Sequence, residues 1–470
     1  MNRNTRRRAA LYGGAALVAF AVLALPRLVV RKAPPVRIRQ LDVPKAKADE
    51  SVALLTALIR IDSSNPPGIT RGVVDVLANA FACEGIPYEI VGDDRERPIL
   101  VARLAGRTRE GALLLLNHVD VEPPGKLDAW VVPPFAADMG PGNDSMYLYG
   151  RGVLDMKGQA VAGFYGMASL KRAGVVPLRD IVFVAEPGEE TYTPEIGIGW
   201  VLTHRPDLLA GVTDVFNEGG VNETVGSDIH RFGIEVMQKA TISLYVDAER
   251  EEDLKKLAES LIDVDKKAPY RLVGPVGEFL QFIGPSRNDI WGRAMVEPER
   301  VLHAAWFRQW APDVYKALVR DGFYPGRPEK HGRGWRMELA MTLLPGSSTE
   351  EALARLDRWI AERGLRRTVH FITPESVASP ESGRAWDTLQ TVLSLDPERA
   401  QVGIYVLSIS YTNSALMRAH GYRAYGVSPF NVNINDASKI HHPNERIILP
   451  YFVEGVERMK RVLLEFATRD

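Results

Sequence analysis

Three short apolar runs in this chain each break off into acids or a histidine. "GALLLLNHVD" ends in His118, Val119 and Asp120, "DIVFVAEPGEE" in Glu189 and Glu190, and "VTDVFNEGG" in Glu218. Runs of this kind read as strands buried on both faces. Segments with helical apolar spacing alternate with them, such as "DESVALLTALIRID" and "KGQAVAGFYGMASLKRAG". Strands alternating with helices predict an α/β fold with a mostly parallel sheet. In an open sheet of that type the strand ends converge on one crevice, where functional groups gather.

At 470 residues the chain exceeds one ordinary domain. Its formal net charge of -1 leaves no footprint for nucleic acid. The single cysteine, Cys83, excludes an intramolecular disulfide framework and a thiolate-rich zinc site, and reads as a small core residue. The N-terminus is different in kind. "MNRNTRRR" is basic, Ala9 to Pro26 carries no charge, and Arg27, Arg31 and Lys32 follow. Residues 1–35 therefore predict a secretory signal peptide or an N-terminal membrane anchor, with the body of the chain periplasmic or secreted. Residues 36–240 form the first part of the α/β domain. The pattern changes over 241–375, which reads as strand "TISLYVDA", helix "EEDLKKLAESLIDV", strand "WRMELAMTLLPG", helix "SSTEEALARLDRWIAERG" and strand "TVHFITPES". Ser348 and Glu351 are spaced as a capping box for the second helix. This predicts an inserted α+β domain, after which residues 376–470 complete the α/β domain.

His118, Asp155, Glu189, Glu190, Glu218 and His441 all fall at strand ends or in adjoining turns. So many carboxylates in one crevice repel one another unless a cation neutralises them. Imidazole and carboxylate ligands suit zinc, with cobalt and manganese as alternatives, and a carboxylate can bridge two metals. Taken singly, each group also fits a polar strand end facing water. Glu186 and Glu195 read as solvated acids, and Trp306 and Trp310 as core or interface.

The stretches "LIRIDSSNPPG", "LLLLNHVDVEPP", "DAWVVPPF", "LYGRGVLDMKG", "AEPGEE", "VFNEGG" and "HHPNERI" together resemble the dinuclear zinc aminoacylase and carboxypeptidase family. That family includes glutamate carboxypeptidase, dipeptidases, and the deacylases of arginine and lysine biosynthesis. The resemblance implies a catalytic α/β domain carrying an inserted lid and hydrolysing an amide of a small peptide or N-acyl amino acid. It implies two Zn2+ ions, one held by His118 and Glu218, the other by Glu190 and His441, with Asp155 bridging both. Asp120 would orient His118, a cis peptide would follow Asp155, and Glu189 would be the general base. A homodimer through the insert is a further implication.

The insert departs from the family pattern. The usual Gly-His-x-Ser segment after its first strand has no counterpart in "QKATISLYVDAEREEDLKKLAESL". Ala340 and Thr342 stand where the family has an aspartate and a substrate-holding arginine, and Asn413 replaces a common aspartate. A hydroxyl does not replace a bidentate cation. His230, Lys239, His331 and Arg333 are the candidates for a replacement donor. Three readings stay open: an active hydrolase with an altered substrate, a membrane-anchored pseudoenzyme that binds metal, and an interaction protein that recruits a partner through the insert.

Overall fold

The leucine run lies in the strand Thr108–His118, inside a nine-stranded sheet of the computed structural model. The structure describes residues 43–469 apart from 142–145, 226–227, 285–293, 396–399, 408–409 and 433. The expected signal or anchor at 1–35 lies outside the described residues. Among the described residues no helix is long and apolar enough to cross a membrane.

Leu113 and Leu115 pack on one face of the sheet with Phe183 and the helix Lys157–Arg172. Leu114 and Leu116 pack on the other with Val201 and Val215. Two covered faces explain why the run shows no alternation. The centre of the sheet is parallel: Arg179–Glu186, Thr108–His118, Val212–Asn217 and Arg423–Gly426 lie side by side in that order. Tyr88–Val91 and Ile99–Leu104 extend one edge antiparallel, and Asp228–Gln238 with Gln401–Leu407 extends the other. His118 pairs in register with Glu186, so the segments leaving both strands deliver Glu189, Glu190 and Asp120 to one place. The helix Lys157–Arg172 starts just after Asp155 and packs against the C-terminal helix Leu449–Thr468. Gly166 permits their close approach, since a Cβ there would lie 2.5 Å from Leu463 Cδ1.

A second, antiparallel sheet has the order Gly322–Pro325, Gly334–Leu343, Ala240–Ala248, Arg366–Ile372, with Glu329–His331 beside Gly334–Leu343. Helices Glu251–Lys267 and Thr349–Ala361 cover one face, burying Leu257 and Leu356 against Leu244 and Leu339. Ser348 Oγ accepts a hydrogen bond from Glu351 N at 3.3 Å, as its capping spacing predicts. One expectation fails: Cys83 is exposed rather than in the core. Trp306 and Trp310 stand at the surface, Trp310 with 64% of its area exposed, so of the two expected places, core or interface, they do not occupy the core.

Two buried charges yield predictions. Arg418 meets Glu235 through two parallel bonds of 2.8 and 2.7 Å, with both side chains almost wholly buried. Removing one partner strands the other, so Arg418→Met should cost about 3–5 kcal/mol in urea denaturation, and a double replacement with Glu235→Met less. An unchanged midpoint in the single variant would mean the pair contributes nothing. Lys239, at the start of the second sheet, donates Nζ to the carbonyls of Ala317 (2.9 Å) and Arg320 (2.7 Å). Burial lowers its pKa to about 7. The unfolded chain then binds more protons between about pH 7 and 10, so stability rises with pH across that window. Lys239→Met should flatten this rise, measured by denaturant titration at the two ends of the window.

Candidate metal centre

Asp155 lies between two imidazoles. Its Oδ1 is 2.9 Å from His118 Nε2 and its Oδ2 is 2.9 Å from His441 Nε2. Glu218 Oε1 stands 3.4 Å from the same His118 nitrogen, and Glu190 Oε2 stands 3.2 Å from the same His441 nitrogen. Glu189 joins His118 and Glu218 in a group whose ligand atoms lie within 4.8 Å of one another. The fold thus brings together all six groups that the strand-end pattern singled out. The peptide between Asp155 and Met156 is cis.

The supports around these groups are specific. His118 Nδ1 pairs with the backbone carbonyl of Asp120 at 3.0 Å, while the Asp120 carboxylate is farther, at 3.5 Å. A carbonyl only accepts, so Nδ1 carries a proton and Nε2 faces the cluster. Asp120 Oδ2 accepts from Asn65 Nδ2 at 2.8 Å and from Glu190 N at 3.2 Å. Glu445, fully buried, accepts from Arg151 Nη1 (2.7 Å), Gly152 N (3.1 Å), Leu154 N (2.9 Å) and Asp155 N (3.3 Å). It therefore ties the turn that presents Asp155 to the loop that presents His441.

Electrostatics report the crowding. Burial, reinforced by the charge of Glu218, pushes Glu189 well above the usual carboxylate range. Burial and the nearby Asp155 raise Glu190 to about 8 and Glu218 to about 7. Burial opposes charge on the imidazoles, but the carboxylates outweigh it, raising His118 well above its ordinary value and His441 to about 11. Two imidazoles and several carboxylates converging within this distance are also the donor set of a divalent metal centre.

Several residues at the site had no role in the sequence reading. Glu122 forms a further group with Glu190 and His441. The Tyr411 hydroxyl donates to the carbonyls of Glu189 (3.4 Å) and Glu190 (3.3 Å). His370, from the second sheet, lines the same cavity as Glu189, Glu218 and His441. It stood in plain view in "TVHFITPES", but only the placement of the insert gives it a role. One expectation is overturned: Glu186 is not solvated. It is almost wholly buried and accepts from Asn413 Nδ2 at 2.6 Å, and burial pushes its pKa well up. Glu195 is exposed, as expected. Lys239 is held by backbone carbonyls, and His331 and Arg333 are exposed residues away from the cavity lining. The side chain of His230 lies outside the described residues.

Comparison with known proteins follows the same lines. The family model for peptidase family M20/M25/M40 matches residues 114–465. A beta-Ala-Xaa dipeptidase of Lactobacillus delbrueckii subsp. lactis is 34% identical over 180 residues, covering 35% of this chain and 34% of that protein. The chain thus spans about a third of the length of the curated relatives it matches. An M20 family metallo-carboxypeptidase of Sulfolobus solfataricus superposes with a TM-score of 0.68 at 16% identity, covering 89% of this chain and 99% of the other. Human carnosine dipeptidase 1 superposes with a TM-score of 0.68 at 14% identity, covering 90% and 98%. At these identities the superpositions show a shared fold.

Glu445 touches no metal-facing atom, yet it fixes the turn behind Asp155. Glu445→Ala should therefore lower zinc affinity about 10–100-fold, the usual cost of losing an outer support. Equilibrium dialysis against zinc checks this, and an affinity equal to wild type would remove Glu445 from the site.

Proposed function

The chain belongs to peptidase family M20/M25/M40, and on that footing we propose that it is a metal-dependent hydrolase of an amide bond in a small peptide or N-acyl amino acid. The observation that carries this reading is Asp155, whose two oxygens each face a different imidazole at 2.9 Å. His118, Glu218 and Asp155 would hold one ion, and His441, Glu190 and Asp155 a second. The ligand types favour zinc, with cobalt or manganese as alternatives. When bound, such metals supply Lewis acidity, lowering the pKa of water and polarising a carbonyl.

The chain's own residues supply the proton traffic. Glu189 lines the cavity beside the cluster and takes a proton from the attacking water. It then returns that proton to the nitrogen of the leaving amine. Burial raises its proton affinity, the direction expected of a carboxylate that must carry a proton for part of the cycle. Asp120 and Asn65 hold His118 and the Glu190 backbone in place. The second sheet faces the cavity with Thr241, Ser243, Ala340 and His370, and so forms the lid over the substrate. Likeness to a dipeptidase supports peptides as substrates. The uncharged stretch Ala9–Pro26 supports an extracytoplasmic location, and a homodimer through the insert belongs to the same proposal.

Binding without turnover is the second reading. It is favoured by Thr342, which is buried where the resemblance implies an arginine reaching the substrate. The discriminating experiment runs zinc-loaded wild type beside Glu189→Ala on N-acyl amino acids, dipeptides and amides lacking a free carboxylate. The hydrolase reading expects kcat to fall about 10²–10⁴-fold in the variant, with two zinc ions retained per chain. Equal, negligible rates in both proteins with zinc bound would select the second reading.

A further inference from the structure

The cavity that contains the cluster measures about 1980 Å³, whereas small-molecule sites usually reach about 1,000 Å³ at most. Two extended residues span no more than about 7 Å, so a dipeptide leaves much of this space unfilled. The cavity lining extends along one side of the cluster, and this extension is called the arm below. From Glu218 the wall continues through Gly219, Gly220 and Val221 to Gly233, then to Tyr405 and Leu407 on the edge strand. Val221 pairs with Gly233, and Gly233 with Gly403. Counting residues and strand spacings places the far end of the arm roughly 10–15 Å from Glu218.

The helix Pro275–Ile283 roofs this arm with Phe279, Phe282 and Ile283. Phe279 meets Tyr405 edge-on at 4.9 Å between ring centroids. Phe282 fits because residue 403 is glycine, where a Cβ would lie 2.4 Å from the phenylalanine ring. Arg231 stacks its guanidinium 5.7 Å from the same ring and forms the charged member of the wall. Phe282, Ile283, Tyr405 and Leu407 are only half-buried, so they present apolar surface to the cavity. None of these groups takes part in metal or proton chemistry.

We propose that this arm binds a long aliphatic acyl group of the substrate, which makes long-chain N-acyl amino acids the preferred substrate class. The inference rests on the hydrolase reading above. An aliphatic chain of about eight to ten carbons matches the length of the arm, whereas a single apolar side chain stops short of it. Burying methylenes on an apolar wall needs no directional partner, which suits a lining of rings and aliphatic groups.

The test uses the zinc-loaded full chain with N-acyl-alanines from acetyl to decanoyl. We expect kcat/KM to rise roughly three- to fourfold per added methylene until the arm is full. Val221→Trp, which fills the arm, and Phe282→Ala, which removes part of its roof, should each collapse the decanoyl-to-acetyl ratio. Calorimetric binding of decanoate and acetate to the Glu189→Ala protein gives a second readout independent of turnover, with decanoate expected to bind at least tenfold tighter. Chain-length-dependent binding with no turnover of any substrate would retain the arm and defeat the hydrolase reading. Turnover with a flat chain-length profile, or apolar dipeptides cleaved as fast as decanoyl-alanine, would overturn the arm. Neither turnover nor preference for decanoate would overturn both.

Discussion

The site depends first on one buried carboxylate that is not itself part of the cluster. Glu445 gathers four donors from Arg151, Gly152, Leu154 and Asp155, nearly 300 residues earlier in the chain. Without it, the turn that carries Asp155 would leave backbone N–H groups unsatisfied in the interior. The loop that carries His441 would also lose its tie to the strand ends. Asn444 strengthens the same join, accepting from Val131 N at 2.8 Å and donating to the Ala129 carbonyl at 3.0 Å. The C-terminal third of the chain is thereby locked to the first third at the point where two histidines must face one aspartate.

That join also controls the electrostatics. His118, Glu218 and Glu189 sit on the parallel strand ends, and His441 reaches them only through the Glu445 loop. His441 and Asp155 are a compensating pair: the imidazole gains a proton because the carboxylates surround it, and Asp155 is held well below its ordinary range. Burial works against that charge separation, so it persists only with short, well-placed contacts on both sides. The same contacts define where a cation would sit if it displaced those protons.

How much of this was legible in the sequence follows from what each residue depends on. The strands were legible because Leu113–Leu116 pack on alternate faces that are both covered, which leaves an unbroken apolar run. The cluster was legible because its members end those runs or sit in short motifs beside glycine. Glu186 was misread for a tertiary reason. Its burial depends on Asn413, 227 residues away, and on Gly197, whose missing side chain leaves room for the carboxylate. Neither is adjacent to it in the sequence pattern. His370 carries no signal of its own in "TVHFITPES": it lies in the strand Arg366–Ile372 of the second sheet, and only the placement of that sheet beside the cluster brings it to the cavity.

The altered insert then bears on function through where its strands land. Thr342, in the position the resemblance gives to an arginine, is buried and does not line the cavity, and its hydroxyl carries no charge. Phe371 from the same sheet packs instead on Tyr411 and Tyr192 at 4.9 and 5.0 Å, directly above the Glu189–Glu190 backbone that Tyr411 engages. An aromatic contact thus joins the second sheet to the loop that carries Glu189 and Glu190. On the hydrolase reading, the threonine in place of the arginine and the apolar arm along the edge strand would act in the same direction, favouring recognition of a substrate from its acyl end.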